Sequence, residues 1–195
     1  MIGLINYEAG NIRSVENALE RLGQKFFISD DIEKLKKADK IIFPGVGNAE
    51  MAMKNLQKKS LDIFLKNCQK PVLGICLGMQ IFFEFSEEGS TPCLNIFPGK
   101  INKFDDKKCP QIPHMGWNDI EINKKNNFLT SDFDKKFFYF VHSFFVPVCK
   151  YTIATCFYGE KFSAAVNKDN FFGVQFHPEK SGDIGEKLLE NFLKI

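Results

Sequence analysis

The pentapeptide Gly74-Ile75-Cys76-Leu77-Gly78 stands where an apolar run at 71–75, read as a buried strand, gives way to a helical pattern at 77–85. Glycines two before and two after a nucleophile permit a tight, strained turn between strand and helix, as in the serine counterpart G-x-S-x-G. Such a turn holds the sulfur above the sheet edge, where the N–H groups and positive dipole end of the next helix favour a thiolate. The plain alternative is a buried structural cysteine between packing glycines. A nucleophile needs a base, and the chain has three histidines, His114, His142 and His177. His177 lies in Gln175-Phe176-His177-Pro178-Glu179. Pro178 pushes His177 towards extended backbone, where residues two apart share a face. Glu179 can then take one imidazole N–H and leave the other nitrogen facing the sulfur, the ordering of a nucleophile, base and orienter. Alone, His-x-Glu reads as a loop ion pair; each of the two motifs supplies what the other lacks.

Acyl chemistry also needs an oxyanion binder. Pro44-Gly45-Val46-Gly47 follows a buried strand predicted at 40–43, at the carboxyl edge where α/β sheets place their sites. Pro44 has no N–H, so the donors fall to the 45–47 amides, with the Leu77 amide as a second source. Phosphate binding does not fit: Glu50 occupies the third glycine position of G-x-G-x-x-G, and no G-x-x-x-x-G-K-[ST] occurs.

The elements that must position these groups follow from periodicity. Strand patterns at 1–6, 25–29, 40–43 and 71–75 alternate with helical patterns at 10–22, 31–37, 48–58, 60–67 and 77–85, the fourth of these capped by Ser60. Alternation of this kind predicts a mostly parallel sheet covered on both faces. The second half carries short strand patterns at 101–104, 118–122, 137–146, 151–158, 162–166 and 171–176, a hairpin turn at 167–170, and a last helix over 182–193. The expected fold is one layered α/β/α domain over 1–195, its parallel sheet extended by antiparallel strands.

Composition fits that domain. Among 195 residues, 44% are hydrophobic and 26% charged, so disordered and low-complexity architectures are excluded. The 22 phenylalanines read as core filler. A net charge of +2 is too balanced for a chain whose main work is gripping nucleic acid. No apolar run is long enough for a membrane helix, and Met1 leads into a strand without a basic leader, so a cytoplasmic protein is expected. The six cysteines form no C-x-x-C pair; free thiols and no metal site are expected.

The chain resembles the class I (triad-type) glutamine amidotransferases, a flavodoxin-like fold, through Gly74-Ile75-Cys76-Leu77-Gly78-Met79-Gln80 and Gln175-Phe176-His177-Pro178-Glu179-Lys180-Ser181. Asn6-Tyr7-Glu8-Ala9-Gly10-Asn11, Pro44-Gly45-Val46-Gly47, Ile112-Pro113-His114-Met115-Gly116-Trp117-Asn118 and Tyr139-Phe140-Val141-His142-Ser143 narrow the resemblance to the glutaminase subunits of imidazole glycerol phosphate synthases. It implies Cys76 as nucleophile, His177 as acid–base, Glu179 as its orienter, an oxyanion hole at Gly45, Val46 and Leu77, and glutamine held by Gly47, Gln80, Ser143 and Phe144. Phe144 stands where the family has tyrosine. The resemblance further implies no cofactor, and a heterodimer with a (β/α)₈ cyclase that takes the ammonia for histidine biosynthesis. That partner would dock on His114, Met115, Trp117, Asn118, Tyr139 and Lys180. It also implies a gate, the Gly45–Val46 peptide turning its N–H into or out of the site. His114 and His142 are expected to be structural or interfacial, and Trp117 could instead fill the domain's own core. Rival readings are the same glutaminase serving a synthase of another pathway such as surface-sugar modification, a peptidase- or chaperone-like cysteine protein on this fold, and a binding module with an unreactive Cys76.

Overall fold

The computed structural model describes residues 1–7 and 12–195; Glu8, Ala9, Gly10 and Asn11, within the Asn6-to-Asn11 motif, lie outside the described residues. The first half alternates as β1 (Ile2–Ile5), α1 (Ile12–Arg21), β2 (Phe26–Ser29), α2 (Ile32–Leu35), β3 (Lys40–Gly45), α3 (Ala49–Lys58), α4 (Leu61–Lys66), β4 (Val72–Cys76) and α5 (Leu77–Ile81). The second half supplies β5 (Phe85–Ser86), β6 (Thr91–Pro92), β7 (Lys100–Lys103), β8 (His114–Asp119), β9 (Glu121–Ile122), β10 (Phe137–His142), β11 (Phe144–Phe145), β12 (Thr152–Tyr158), β13 (Glu160–Lys168), β14 (Phe171–Val174) and α6 (Gly182–Lys194).

The central sheet runs β2-β1-β3-β4-β14-β13-β12-β9. Its first five strands are parallel and its last three pair antiparallel, as the sequence predicts. Parallel strands with both faces covered carry continuous apolar runs, and successive residues go to opposite layers. Leu4, Ile42, Leu73 and Ile75 pack with Val15 and Leu19 of α1 and Leu188 and Phe192 of α6. Ile5, Phe43 and Val72 pack with Leu35 of α2, Met53 and Leu56 of α3 and Leu65 of α4. Phenylalanine fills both layers, with Phe43, Phe82 and Phe97 on one side and Phe138, Phe162 and Phe176 on the other.

Several boundaries differ from the sequence expectation. Asn48 caps α3 through its side chain, accepting from the Glu50 and Met51 amides. Ser60, by contrast, takes a left-handed conformation with φ 56° and makes no side-chain cap. The helix after Cys76 stops at Ile81 rather than running to 85, because the Phe82 and Phe83 amides tighten onto Met79 and Gln80 and the Phe82 carbonyl is claimed by the Ile96 and Phe97 amides. The run at 118–122 divides between β8 and β9, and that at 137–146 between β10 and β11. In each case the halves join different sheets, β10 pairing, among the described residues, only with β8 and β11 joining β7, β5 and β6. The predicted hairpin turn is present, with Asp169 left-handed at φ 51° between β13 and β14.

Candidate active site

Cys76 ends β4 with φ 54° and ψ −111°, a conformation that aims its side chain out of the sheet edge at the start of α5. A non-glycine residue held there is strained and persists only where its surroundings over-determine it. They do: a methyl group on Gly78 would lie 2.0 Å from the Phe43 carbonyl oxygen, and one on Gly74 would lie 2.6 Å from the Phe82 ring. The flanking glycines are therefore required by the close approach of α5 to β3 and β4. Gly45, paired with Cys76 across β3 and β4, is similarly enclosed by the Gly78 amide and the buried Tyr7 hydroxyl.

His177 follows β14, and its Nδ1 meets Glu179 Oε1 at 2.8 Å, with both side chains buried. The pairing predicted from extended backbone arises differently. His177 is extended, but Pro178–Lys180 form a 3-10 turn, and that turn carries the carboxylate back beneath the ring. Ser181 fixes the turn: its hydroxyl donates to the His177 carbonyl at 2.6 Å and accepts from the Tyr139 amide at 3.0 Å. The His177 amide in turn donates to the Tyr139 carbonyl, tying the turn to β10. Nε2 is buried without a hydrogen-bond partner, so the ring's second nitrogen is uncommitted. Burial opposes an imidazolium here, yet the charge of the nearby Cys76 sulfur and then the Glu179 carboxylate outweigh it, raising the His177 pKa to about 10.

Cys76 and His177 open onto one cavity of about 290 Å³, walled by Val46, Gly47, Leu77, Gln80, Ser143 and Phe144, which are the expected oxyanion and glutamine residues other than Gly45. Gly47, at φ 98° with open space where a side chain would stand, lets the chain pass the cavity mouth. Glu88, Pro113, Val141 and His142 complete the wall. Sequence reasoning missed Glu88, the cavity's one carboxylate among the described lining residues, because no motif surrounds it. Its Oε2 accepts the Ala49 amide at the start of α3 at 2.7 Å, and burial raises its pKa.

The expected docking residues separate into two groups. Met115 and Trp117 are 60% and 56% exposed, which overturns the reading of Trp117 as core. On the same face of the β8–β10 ribbon, Trp117 pairs with Tyr139, whose ring lies beneath the Lys180 ammonium. His114 is buried, correcting its assignment to the docking surface. It stacks on Tyr158 at 3.9 Å between centroids and joins its Nδ1 to His142 Nε2 at 3.0 Å. Asn118 is half-buried, its amide reaching His114 Nε2 and the Phe157 carbonyl.

The glutamine amidotransferase class-I family matches residues 4–195, and the chain belongs to that family. Full-length relatives are named more narrowly: imidazole glycerol phosphate synthase subunit HisH of Bacteroides fragilis (strain YCH46) is 51% identical, covering 100% of this chain and 99% of its own. The subunit of the same name from Bacteroides thetaiotaomicron is 51% identical over 196 residues, again covering 100% of this chain and 99% of its own. Among solved structures, a putative GMP synthase subunit from Thermoplasma acidophilum superposes with TM-score 0.75 at 17% identity, covering 99% of this chain and 92% of that one. PurLQS from Thermotoga maritima gives 0.71 at 20% identity, with 99% and 97% covered. At such identities these two speak for the fold alone.

Proposed function

We propose that this chain is the glutaminase subunit of an imidazole glycerol phosphate synthase, hydrolysing L-glutamine to L-glutamate and ammonia in histidine biosynthesis. The observation that carries the reading is His177, paired behind with Glu179, opening onto the same cavity as a cysteine held on a strained strand-to-helix turn. His177 Nε2 takes the Cys76 proton, and the sulfur attacks the side-chain carbonyl carbon of glutamine. Amides of Val46 and Leu77 receive the oxyanion that forms, each donor contributing about 3 kcal/mol in comparable sites. The imidazolium gives its proton to the departing nitrogen, the carbon–nitrogen bond breaks, and ammonia leaves a thioester on Cys76. Water, deprotonated by His177, attacks the thioester and releases glutamate, returning the proton to sulfur.

Gly47, Gln80, Ser143 and Phe144 hold the amino-acid end of glutamine, and Glu88 suits its α-ammonium. At Phe144 the main-chain carbonyl accepts from Gln80 and His142, an anchor made by backbone, so the departure from tyrosine leaves it intact. Ammonia freed into water would be protonated, so the product passes directly into a (β/α)₈ cyclase bound as the other half of a heterodimer. Met115, Trp117, Tyr139 and Lys180 form the docking face, and the assembly works in the cytoplasm; among the described residues no helix is long and apolar enough to cross a membrane. The Gly45–Val46 peptide is the gate that couples the two subunits. The test is the complex carrying Cys76→Ala: glutamine-driven synthesis is lost while ammonium-driven synthesis survives, and loss of both would make Cys76 structural.

A further inference from the structure

One fully buried side chain beside the nucleophile has no part in the steps above. Gln175 lies between β14 and His177, and it does not line the cavity. Its Nε2 stands 3.6 Å from Cys76 Sγ, and its Oε1 accepts from Gln80 Nε2 at 2.9 Å. Which end of an amide bears the donors depends on its neighbours, and here the main chain decides. The Phe144 carbonyl can only accept, and it receives one hydrogen of Gln80 Nε2 at 2.8 Å. The other hydrogen goes to Gln175 Oε1, which leaves the Gln175 NH₂ directed at the sulfur. His142 Nδ1 meets the same Phe144 carbonyl at 2.8 Å and so must carry a proton, strengthening the anchor. Apart from the His177 ring, the sulfur also meets the Val141 carbonyl at 3.8 Å, which takes a thiol proton but repels a thiolate. A buried anion is costly unless donors surround it; the His177 ring answers this one from the cavity side, and the Gln175 amide is the neutral donor that the fold adds from the buried side.

We propose that Gln175 is a positioning residue for the nucleophile, its amide donating to the Cys76 sulfur so that the thiolate is favoured and aimed before glutamine enters, with Gln80 and the Phe144 carbonyl fixing the amide's polarity. This rests on Cys76 being the nucleophile. The test compares Gln175→Leu and Gln175→Glu with the unaltered full chain. Cys76 alkylation by iodoacetamide, read by peptide mass, and thiolate ultraviolet absorbance are followed in each, with kcat and KM for glutamine measured in the complex with its cyclase.

A hydrogen bond to a charged group supports a loss of about tenfold or more in alkylation rate and kcat for Gln175→Leu. KM should change less than kcat, because Gln175 does not line the cavity and reaches the glutamine-holding residues only through Gln80, which keeps its bond to the Phe144 carbonyl. Gln175→Glu, nearly equal in volume to glutamine, should lose more, because a carboxylate then faces the thiolate. Ammonium-driven turnover should be unchanged in both, showing that fold and assembly persist. Gln175→Met is read in the same way if the leucine variant does not fold. Unaltered alkylation and absorbance in Gln175→Leu would overturn the inference, as would a glutamate variant more reactive than the leucine one, since filling space would then be the role. If the unaltered chain neither alkylates at Cys76 nor turns over glutamine, the reading of Cys76 fails first and takes the inference with it.

Discussion

At the scale of residues, the catalytic reading turns on charge held where water is excluded. His177 is driven up to about 10 against the opposing effect of burial, by the Cys76 sulfur and Glu179 together. Removing one anion while leaving the burial should lower it. In Cys76→Ala the His177 imidazolium should therefore titrate at lower pH than in the unaltered chain, as followed by NMR of the ring nitrogens; an unchanged midpoint would mean that the sulfur carries no charge near the ring. Cys76 was legible in the sequence because its glycines sit at fixed offsets, and His177 because Glu179 and Pro178 are chain neighbours. Gln175 and Glu88 were not legible as site residues. What matters about Gln175 is a contact with a sulfur 99 residues away, and Glu88 reaches the cavity by holding an amide 39 residues away. Local spacing encodes neither.

At the scale of elements, the elbow is a packing solution as much as a chemical one. α5 lies so close to β3 that Gly78→Ala would drive a methyl group into the Phe43 carbonyl, backbone against backbone. The expected cost is about 3 kcal/mol or more, read as a lowered denaturant midpoint with glutaminase activity lost alongside. The β8–β10 ribbon sets His114 directly opposite His142. Burial holds His114 down to about 4; burial, then the neighbouring His114 and His177 charges, hold His142 down to about 3 against the Phe144 carbonyl bond. The unfolded chain takes up these protons near pH 6.5 and the folded chain does not, so stability is present above that pH and falls as the solution is acidified towards 4. His114 alone should cost about 2–3 kcal/mol by pH 4, and the double variant His114→Asn, His142→Gln should flatten that dependence in chemical denaturation. The long periodic elements were legible in the sequence. β5, β6 and β11, two residues each, are too short to show a period, and the breaks at 120 and 143 follow from strands switching sheets.

At the scale of the whole molecule, the fold brings three distant segments to one edge of the sheet, at the ends of β3, β4 and β14, and presents an exposed aromatic and methionine face. Trp117, largely exposed, has the size and chemistry of the interface anchor proposed for it. Trp117→Ala should leave the melting temperature of the isolated chain unchanged and weaken cyclase binding by about 2 kcal/mol in calorimetric titration; a large loss of stability instead would return it to the core. The claim on which all of this depends is that Cys76 attacks with His177 as its base. A diazoketone analogue of glutamine, followed by peptide mapping, tests it most directly. One adduct is expected, on Cys76, formed far more slowly in His177→Gln. Labelling spread over the other five cysteines, or sustained glutamine turnover with Cys76 unlabelled, would contradict it.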